Sequence, residues 1–295
     1  MFLFARCLTV LLALWLMAGG LHAWADSGHR LIGELAESRL DAETARKVWA
    51  LLDGQTLAKV STWADELIDT ERCSHTEPWH YINIADGQTL ESSERSPRGD
   101  LVAAIERFER QLRRPDATRE EKAWALQYLV HLIGDLHQPL HVGRREDRGG
   151  NDLVVDWFGE TTNLHLVWDF FLIDRAGLEV DDLNAFLESQ DPSVLARWRA
   201  QPVLAWLQES LEHRQAAYAD EFPARFGEPY LNTHRQLIRQ RLAQAGIRLA
   251  DLLNAIFSNP EFSARKEESI DRATEISAVS DPAPVPCGPE RPAEK

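Results

Sequence analysis

The chain has 295 residues, of which 44% are hydrophobic, and a formal net charge of −15. This length and composition predict one globular domain with a large core, since no long flexible linker divides the sequence. The acidic balance excludes a broad basic surface that tracks phosphates, so a polyanionic ligand would need positive charge from another source.

The first 23 residues predict a secretory signal peptide. They carry a single arginine, Arg6, an apolar run from Leu8 to Met17, and a small residue, Ala23, at the end of the segment. The run is too short and wrongly flanked for a membrane span, and an uncleaved anchor is the alternative interpretation. No later stretch is apolar enough to cross a bilayer. We therefore expect an exported protein, periplasmic or secreted, without stable membrane association.

The rest of the chain predicts an all-α fold class, a single mainly helical domain over 24–277. Apolar residues recur at helical spacing in the segments 31–40, 43–52, 100–112, 122–136, 203–213 and 235–257. The one convincing strand signal is LVVDWFG at 153–159. Polar loops are predicted at 85–100 and 143–152.

From residue 278 onward the chain is proline-rich and lacks periodicity, which predicts a disordered tail over 278–295. Removal of the signal peptide would take away Cys7 and leave Cys73 and Cys287, one possible disulfide in an oxidising compartment. The sequence leaves open whether it forms. Two cysteines cannot build a thiolate metal site.

The segment HLIGDLHQPLH at 131–141 places three histidines and one aspartate in an apolar stretch. His131 and Asp135 are four residues apart, so on a helix they share one face and could bind one cation. The same spacing recurs in NLHLVWD, with His165 and Asp169. One such pair is more often a hydrogen bond on a helix surface, whereas two pairs on apolar segments favour metal ligation.

Pro139 is expected to end or kink the helix that carries His131, which directs His141 away from that face. His141 is therefore a candidate ligand for a different metal. Imidazole with carboxylate is a ligand set of catalytic zinc, which commonly keeps one position open for water. His137 lies between the ligand positions without a partner in the pattern, which favours a structural hydrogen bond over ligation.

Several ordered motifs together resemble the zinc-dependent single-strand-specific nucleases with 3′-nucleotidase activity, the type I nucleases, which share a fold with bacterial zinc phospholipase C. The motifs are WADSGH at 24–29, STWAD at 61–65, PWHYINI at 78–84, HLIGDLHQPLH at 131–141, GGND at 149–152, NLHLVWD at 163–169 and QAGIRLADLLN at 244–254. The resemblance spans almost the whole chain after residue 23. It implies a helical domain around a trinuclear zinc cluster.

The resemblance also implies a ligand set for three zinc ions per chain. One zinc would be held by Asp65, His80, His131 and Asp135. A second would take His29, the shared Asp135, and both the α-amino nitrogen and the carbonyl oxygen of Trp24. A third would take His141, His165 and Asp169. Asp65 is in addition the implied catalytic carboxylate, which orients the attacking water.

The sequence departs from the family pattern near this carboxylate. Ile68 stands where family members commonly have arginine or lysine, three residues after the aspartate matched by Asp65. The stabilisation of charge in the transition state is then weaker, or Arg72 substitutes for the missing cation.

Three further residues are candidate substrate-binding residues: Tyr81, Asn83 and Asn151. Tyr81 could stack on a base or pack in the core. Asn83 stands where an aspartate is common in the base pocket, and because an amide both donates and accepts, base preference does not transfer. Asn151 could contact phosphate or complete a turn after two glycines.

The sequence thus predicts an exported zinc-dependent endonuclease, active as a monomer. It would hydrolyse the phosphodiester bonds of single-stranded DNA and RNA to 5′-phosphorylated products and also act on 3′-nucleotides. Zinc lowers the pKa of bound water to about 7 and can so supply a nucleophile. A zinc-dependent phospholipase C is an alternative, although Asp169 stands where such phospholipases have glutamate. A non-catalytic zinc-binding or storage protein is another, although storage would favour closed coordination.

Overall fold

The computed structural model describes residues 24, 26–68 and 70–258. The predicted signal peptide, the predicted tail, Cys7 and Cys287 lie outside the described residues. Cys73 is buried.

Helices dominate the described chain. The α-helices are α1 (Asp26–Glu37), α2 (Ala42–Leu51), α3 (Leu57–Val60), α4 (Trp63–Ile68), α5 (Leu101–Arg113), α6 (Arg119–His137), α7 (Leu164–Leu166), α8 (Leu172–Ala176), α9 (Val180–Glu188), α10 (Pro192–Ala200), α11 (Val203–Ala217) and α12 (Glu228–Phe257). Two 3₁₀ turns span Ser74–His80 and Pro139–Val142, and a π-helical turn spans Val167–Phe171. The strands are β1 (Val154–Trp157), β2 (Glu160–Asn163) and β3 (Ala224–Phe226).

The mainly helical fold predicted from the sequence is confirmed, with one small sheet added. Every segment with helical apolar spacing contains a helix, and the strand signal at 153–159 contains β1. The segments 85–100 and 143–152 contain neither helix nor strand, as expected. Helices α9 and α10 and strands β2 and β3 were not predicted. No helix in the described ranges is long and apolar enough to cross a membrane.

Helix α6 is the central helix of the site. It begins with a capping box, in which the Thr118 side chain accepts from the Glu121 backbone N–H and the Glu121 side chain accepts from the Thr118 backbone. Every residue from 128 to 142 is buried. Helix α5 packs along α6, and α12 packs against both α6 and α1. The helix ends at His137 because Pro139 cannot continue it, and the chain turns into a 3₁₀ turn.

The sheet leads the chain into the second histidine–aspartate pair. Strand β1 pairs antiparallel with β2, from Val154 opposite Asn163 to Trp157 opposite Glu160, and parallel with β3. Phe158 and Gly159 connect β1 to β2 with positive φ angles of 54° and 96°, as in the tight hairpin turns that match strand twist. Helix α7 follows β2 directly, so the hairpin positions its histidine.

A candidate metal centre

Three groups of histidines and aspartates lie around the C-terminal half of α6 and the turn that follows it. They are His29, His131 and Asp135; Asp65, His80 and His131; and His141, His165 and Asp169. Within each group the potential ligand atoms lie within 4.8 Å of one another. All these residues are buried, none more than 6% exposed. The structure therefore brings together every histidine and aspartate that the sequence suggested as a ligand.

Asp135 joins the first two groups. Its Oδ1 lies 3.2 Å from His29 Nε2, and its Oδ2 lies 3.2 Å from His131 Nε2 and 3.1 Å from His80 Nδ1. His131 Nε2 is also 3.3 Å from Asp65 Oδ1. The two carboxylate oxygens thus face different sets of imidazoles, which is the geometry needed to bridge two cations.

The third group is separated from the first two by the break after α6. Asp169 Oδ2 lies 3.0 Å from His165 Nε2, and Asp169 Oδ1 lies 3.6 Å from His141 Nε2. Gln138 donates a hydrogen bond of 2.5 Å to Asp169 Oδ1. Asp169 sits in the π-helical turn, a local widening that often occurs at functional sites. As predicted from Pro139, His141 belongs to a different group from His131.

Three of the histidines are oriented by backbone carbonyls. The Nδ1–H groups of His131, His141 and His165 donate to the carbonyls of Ser61 (2.7 Å), His80 (2.6 Å) and Gly149 (2.7 Å), respectively. A carbonyl can only accept, so Nδ1 carries a proton and Nε2 is the nitrogen that would bind a metal. Metal-binding histidines are commonly fixed in this way, with the second nitrogen directed at the metal.

Several buried polar atoms of these groups make no hydrogen bond of normal geometry, although Asp135 Oδ1 lies 3.2 Å from His29 Nε2 and Asp169 Oδ2 lies 3.0 Å from His165 Nε2. They are both ring nitrogens of His29, Nε2 of His80 and of His141, Oδ1 of Asp135 and Oδ2 of Asp169. An unsatisfied buried polar atom costs roughly 1–3 kcal/mol. Imidazole nitrogens and carboxylate oxygens are ligands that zinc accepts, so bound zinc ions fit the atoms that the protein leaves open.

The carboxylates stay ionised in spite of their burial. Burial opposes ionisation of Asp135, but the charge of His131 and hydrogen bonds from the surrounding histidines hold its pKa well below the usual range. Burial acts against Asp169 in the same way, and His165 and His141 lower its pKa to about 2. Ionised carboxylates bind a cation without first losing a proton, which favours metal binding at neutral pH.

Trp24 is anchored next to Asp135. Its side chain is fully buried, and the indole N–H donates a hydrogen bond of 2.9 Å to the carbonyl of Gly134. Gly134 has room for no side chain, because a Cβ there would lie 2.7 Å from His29 Nδ1. Trp24 therefore lies where α6 carries the residues of the first two groups.

A cleft opens beside the histidines and contains the candidate substrate-binding residues. Tyr81, Asn83 and Asn151 all line it, next to His80, His141 and His165. Ile68 also lines the cleft, whereas Arg72 is not among the described residues that do so.

Two of these side chains, Tyr81 and Asn151, have hydrogen-bond partners that bear on whether each binds substrate or only supports the fold. Tyr81 is half-buried, and its hydroxyl donates 2.8 Å to Glu77 Oε1. Burial and this carboxylate raise the pKa of Tyr81 to about 12, so the ring stays neutral. The Asn151 amide donates 2.9 Å to the Arg148 carbonyl, as in the turn interpretation, while Asn151 still faces the cleft.

Two residues of the cleft were missed in the sequence. Glu77 lies four positions before Tyr81, a spacing that could have suggested the contact. Arg148 lies in the predicted polar loop, where no periodicity indicates the direction of a side chain.

His137 takes no part in the three groups. Its Nδ1–H donates 2.7 Å to the carbonyl of Ile133, and its Nε2 accepts 2.9 Å from Arg248 Nη1. Burial, with the charges of Arg241 and Arg248, holds the pKa of His137 well below its usual value. The structural role predicted for His137 is confirmed.

A mainly helical domain with buried imidazole–carboxylate groups beside an open cleft has the architecture of a metal-dependent hydrolase. The family model described as S1/P1 Nuclease matches residues 24–258, and the chain belongs to this family. The family resemblance inferred from the motifs is thereby confirmed, and the enzyme class is that of a nuclease acting on nucleic acids.

Named relatives agree with this assignment. The chain is 30% identical to Endonuclease 4 of Arabidopsis thaliana over 287 residues, which covers 84% of this chain and 94% of the relative. It is 34% identical to Nuclease S1 of Aspergillus oryzae over 180 residues, covering 58% and 62% of the two chains. It is 29% identical to Nuclease P1 of Penicillium citrinum over 157 residues, covering 50% and 58%.

Proposed function

We propose that the protein is an exported zinc-dependent endonuclease that hydrolyses single-stranded DNA and RNA to 5′-phosphorylated products and also acts on 3′-nucleotides. The observation that carries this proposal is the set of buried ring nitrogens and carboxylate oxygens without hydrogen bonds, located beside the cleft. Zinc would occupy all three groups. We expect the enzyme to act as a monomer.

The residues of the three groups would divide the metals as follows. Asp65, His80, His131 and Asp135 would hold one zinc; His29, Asp135 and Trp24 a second; His141, His165 and Asp169 a third. Zinc, when bound, lowers the pKa of a coordinated water to about 7 and neutralises phosphate charge. Three divalent cations exceed the charge of Asp65, Asp135 and Asp169, so the pocket is positive in a chain of charge −15. This explains how an acidic protein can bind a polyanion.

The chain's own residues would supply orientation and recognition. Asp65, buried against His131, would be both ligand and the carboxylate that holds the attacking water in line. The Tyr81 ring, fixed by Glu77, offers a face for a base, and Asn83 offers an amide to the base edge. Stacking requires a base that has left the duplex, which favours single strands as substrates. Asn151 would contact a phosphate oxygen.

Export would also complete the second zinc site. If the signal peptide is cleaved after Ala23, Trp24 gains a free α-amino group, whose reference pKa is about 7.7–8.0 and which a bound metal lowers further. An internal peptide nitrogen cannot serve, because its lone pair is delocalised into the amide. The indole hydrogen bond to Gly134 supports this placement. Signal cleavage would then activate the nuclease only after it has left the cytoplasm.

This last point is tested with two forms of the protein, one starting at Trp24 and one with Gly-Ser added before it. The extended form is expected to bind less zinc and to cleave DNA more slowly. Equal zinc content and equal rates would rule out chelation by the terminus.

The proposed function as a whole is tested on purified protein that starts at Trp24. We expect about three zinc ions per chain by metal analysis, and rapid cleavage of denatured DNA and RNA, slower cleavage of duplex DNA, and release of phosphate from 3′-AMP. Asp65→Asn, prepared identically, controls for contaminating nucleases. Hydrolysis of phosphatidylcholine without cleavage of DNA would instead indicate a phospholipase. Bound zinc with no hydrolysis of any substrate would indicate a storage role.

A further inference from the structure

We propose that Arg148 forms a binding subsite for a phosphate that flanks the scissile phosphodiester. This inference rests on the proposed function, since it concerns how a strand lies in the cleft. It assigns to the loop 143–152 a role in binding the polynucleotide backbone.

The depth of Arg148 in the cleft distinguishes it from the metal centre. Arg148 lines the same cleft as His141 and His165, but its side chain is 61% exposed, whereas the side chains of those histidines are at most 8% exposed. A phosphate that reacts at the buried groups lies at the floor of the cleft. A guanidinium at the rim therefore meets the next phosphate of the strand.

The backbone that carries Arg148 is firmly held. Its neighbour Gly149 accepts the Nδ1–H of His165 at 2.7 Å, and Gly149 N–H donates to the Arg144 carbonyl at 2.9 Å. The Arg148 carbonyl itself accepts from the Asn151 side chain. Asp147, one residue earlier, accepts from the Tyr218 hydroxyl at 3.1 Å. The base of the Arg148 side chain is thus fixed relative to the third histidine–aspartate group.

The guanidinium itself is only loosely engaged. Its ion pair is with Asp152 at 3.5 Å, and both side chains are more than half exposed. Such surface pairs contribute little, because water and salt screen them. A phosphate offers two oxygens to the planar guanidinium and forms the stronger, charge-assisted pair. Arg148 can therefore exchange Asp152 for a substrate phosphate at small cost.

The position of Arg148 relative to Tyr81 supports the direction of the strand. Arg148 and Tyr81 line the same cleft. A strand with one base against Tyr81 and its scissile phosphate at the cleft floor then passes the guanidinium with an adjacent phosphate.

Arg145, in the same loop, provides a matched contrast. It lies in a neighbouring groove that shares Asn83 with the cleft and is also lined by Glu94 and Glu146. Arg145 forms an ion pair with Glu94 at 3.1 Å and donates to the Glu94 carbonyl at 3.0 Å. The two carboxylates outweigh its charge, so this groove is no attractive site for phosphate.

The test compares substrates with and without a flanking phosphate. A thymidine dinucleoside monophosphate contains only the scissile phosphodiester, whereas pentathymidylate also contains flanking ones. For Arg148→Gln we expect KM for pentathymidylate to rise roughly tenfold with kcat little changed. Its kinetics on the dinucleoside monophosphate should match wild type. Arg148→Lys should retain part of the affinity, and Arg145→Gln should match wild type on both substrates.

Salt dependence gives a second, independent measurement. The slope of log kcat/KM for pentathymidylate against log salt concentration should fall by about 0.7 in Arg148→Gln, the change expected for one lost phosphate contact on a single strand. Asp152→Asn, which frees Arg148, should lower KM for pentathymidylate.

Two results would overturn the subsite. Equal losses on both substrates would place Arg148 at the scissile phosphate, and no loss on either would leave it as the partner of Asp152 alone. Wild-type protein inactive on both substrates would refute the proposed function instead. In that event the affinity of wild type and Arg148→Gln for fluorescently labelled pentathymidylate, measured by anisotropy, decides on the subsite: equal affinities reject it.

Discussion

Two buried clusters of titratable residues flank the C-terminal end of α6, and they differ in whether their polar atoms all have hydrogen-bond partners. The first is the candidate metal centre. The second, here called the arginine network, consists of His137, Glu209, Arg241 and Arg248. His131 and Asp135 of the centre and His137 of the network lie within two turns of the same helix. In the sequence, His137 differs from His131 in having no partner in the ligand pattern.

The arginine network satisfies its own polar atoms. Arg241 donates to the His137 carbonyl, Glu209, Gln244 and Ser210. Arg248 donates to the Trp198 carbonyl, His137, Glu209 and Gln201. Both oxygens of Glu209 accept from Arg248, and both nitrogens of His137 have partners. The network is a closed set of ions and hydrogen bonds.

The metal centre, in contrast, leaves ring nitrogens and carboxylate oxygens without hydrogen bonds. Folded proteins rarely leave buried polar atoms unsatisfied, so each exception calls for a ligand or another explanation. The comparison shows that burial and charge alone do not identify a functional cluster, whereas buried polar atoms that lack hydrogen-bond partners do.

Removing metal should produce the largest difference between the clusters. After exhaustive dialysis against EDTA, we expect hydrolysis of denatured DNA to fall to background and to return with added zinc, since the ligands contain no nucleophile of their own. The urea midpoint, followed by tryptophan fluorescence, should also fall, because the buried aspartates and histidines lose their cations. Full activity in excess EDTA would contradict the assignment.

Asp65→Asn should cause the next largest effect. The change weakens a metal ligand and removes the carboxylate proposed to orient water, so we expect kcat to fall about a thousandfold. Glu66→Gln, the adjacent exposed carboxylate, is the matched control and should retain wild-type kcat. His137→Ala should lose far less rate than Asp65→Asn. Comparable losses in the two would remove the distinction between the clusters.

Glu209→Gln tests the arginine network through stability. The substitution leaves two buried guanidinium groups without their carboxylate, and the free energy of unfolding should fall by about 3 kcal/mol. Zinc content should stay unchanged, because Glu209 forms its ion pairs with Arg241 and Arg248. Glu212→Gln, on the exposed side of the same helix, should change stability little. A loss of zinc together with unchanged urea denaturation would be the opposite of this expectation.

Gly134→Ala should give the smallest effect, because two contributions compete. Alanine stabilises a helix interior by about 1 kcal/mol relative to glycine. Here the added Cβ would lie 2.7 Å from His29 Nδ1, so the imidazole must move and zinc affinity should fall about tenfold. Zinc binding measured against a competing chelator checks this.

Gly246→Ala is the control for that experiment. Its Cβ would lie 2.6 Å from Leu35 Cδ2, a similar clash with no metal ligand involved. It should lower stability and leave zinc affinity unchanged. A drop in zinc affinity of equal size in both variants would assign the effect to general loosening of the fold.

The metal centre was largely predictable from the sequence because its ligands carry local signals. The spacing of His131 and Asp135, repeated in His165 and Asp169, reports a shared helical face, and Pro139 reports the break that separates His141. The remaining ligand positions came from the family resemblance.

The arginine network and the small sheet could not be predicted in this way. Arg241 and Arg248 lie in a helix with two further arginines, Arg235 and Arg239, and Glu209, the carboxylate that pairs with both Arg241 and Arg248, comes from a different helix. Strand β3 has three residues and pairs with β1 across about 70 positions, too short and too distant for a local pattern. Arg148 points into the cleft because of backbone turns, which no periodicity encodes.

The continuous burial of residues 128–142 has a consequence for how metal is taken up. This one segment carries a histidine or aspartate of every group, and Gln138 connects its turn to Asp169. Ordering the segment around one ion therefore orders ligands for the other two. The ions are expected to load cooperatively, so that a zinc titration of the metal-free protein yields mostly empty and fully loaded chains, with few in between.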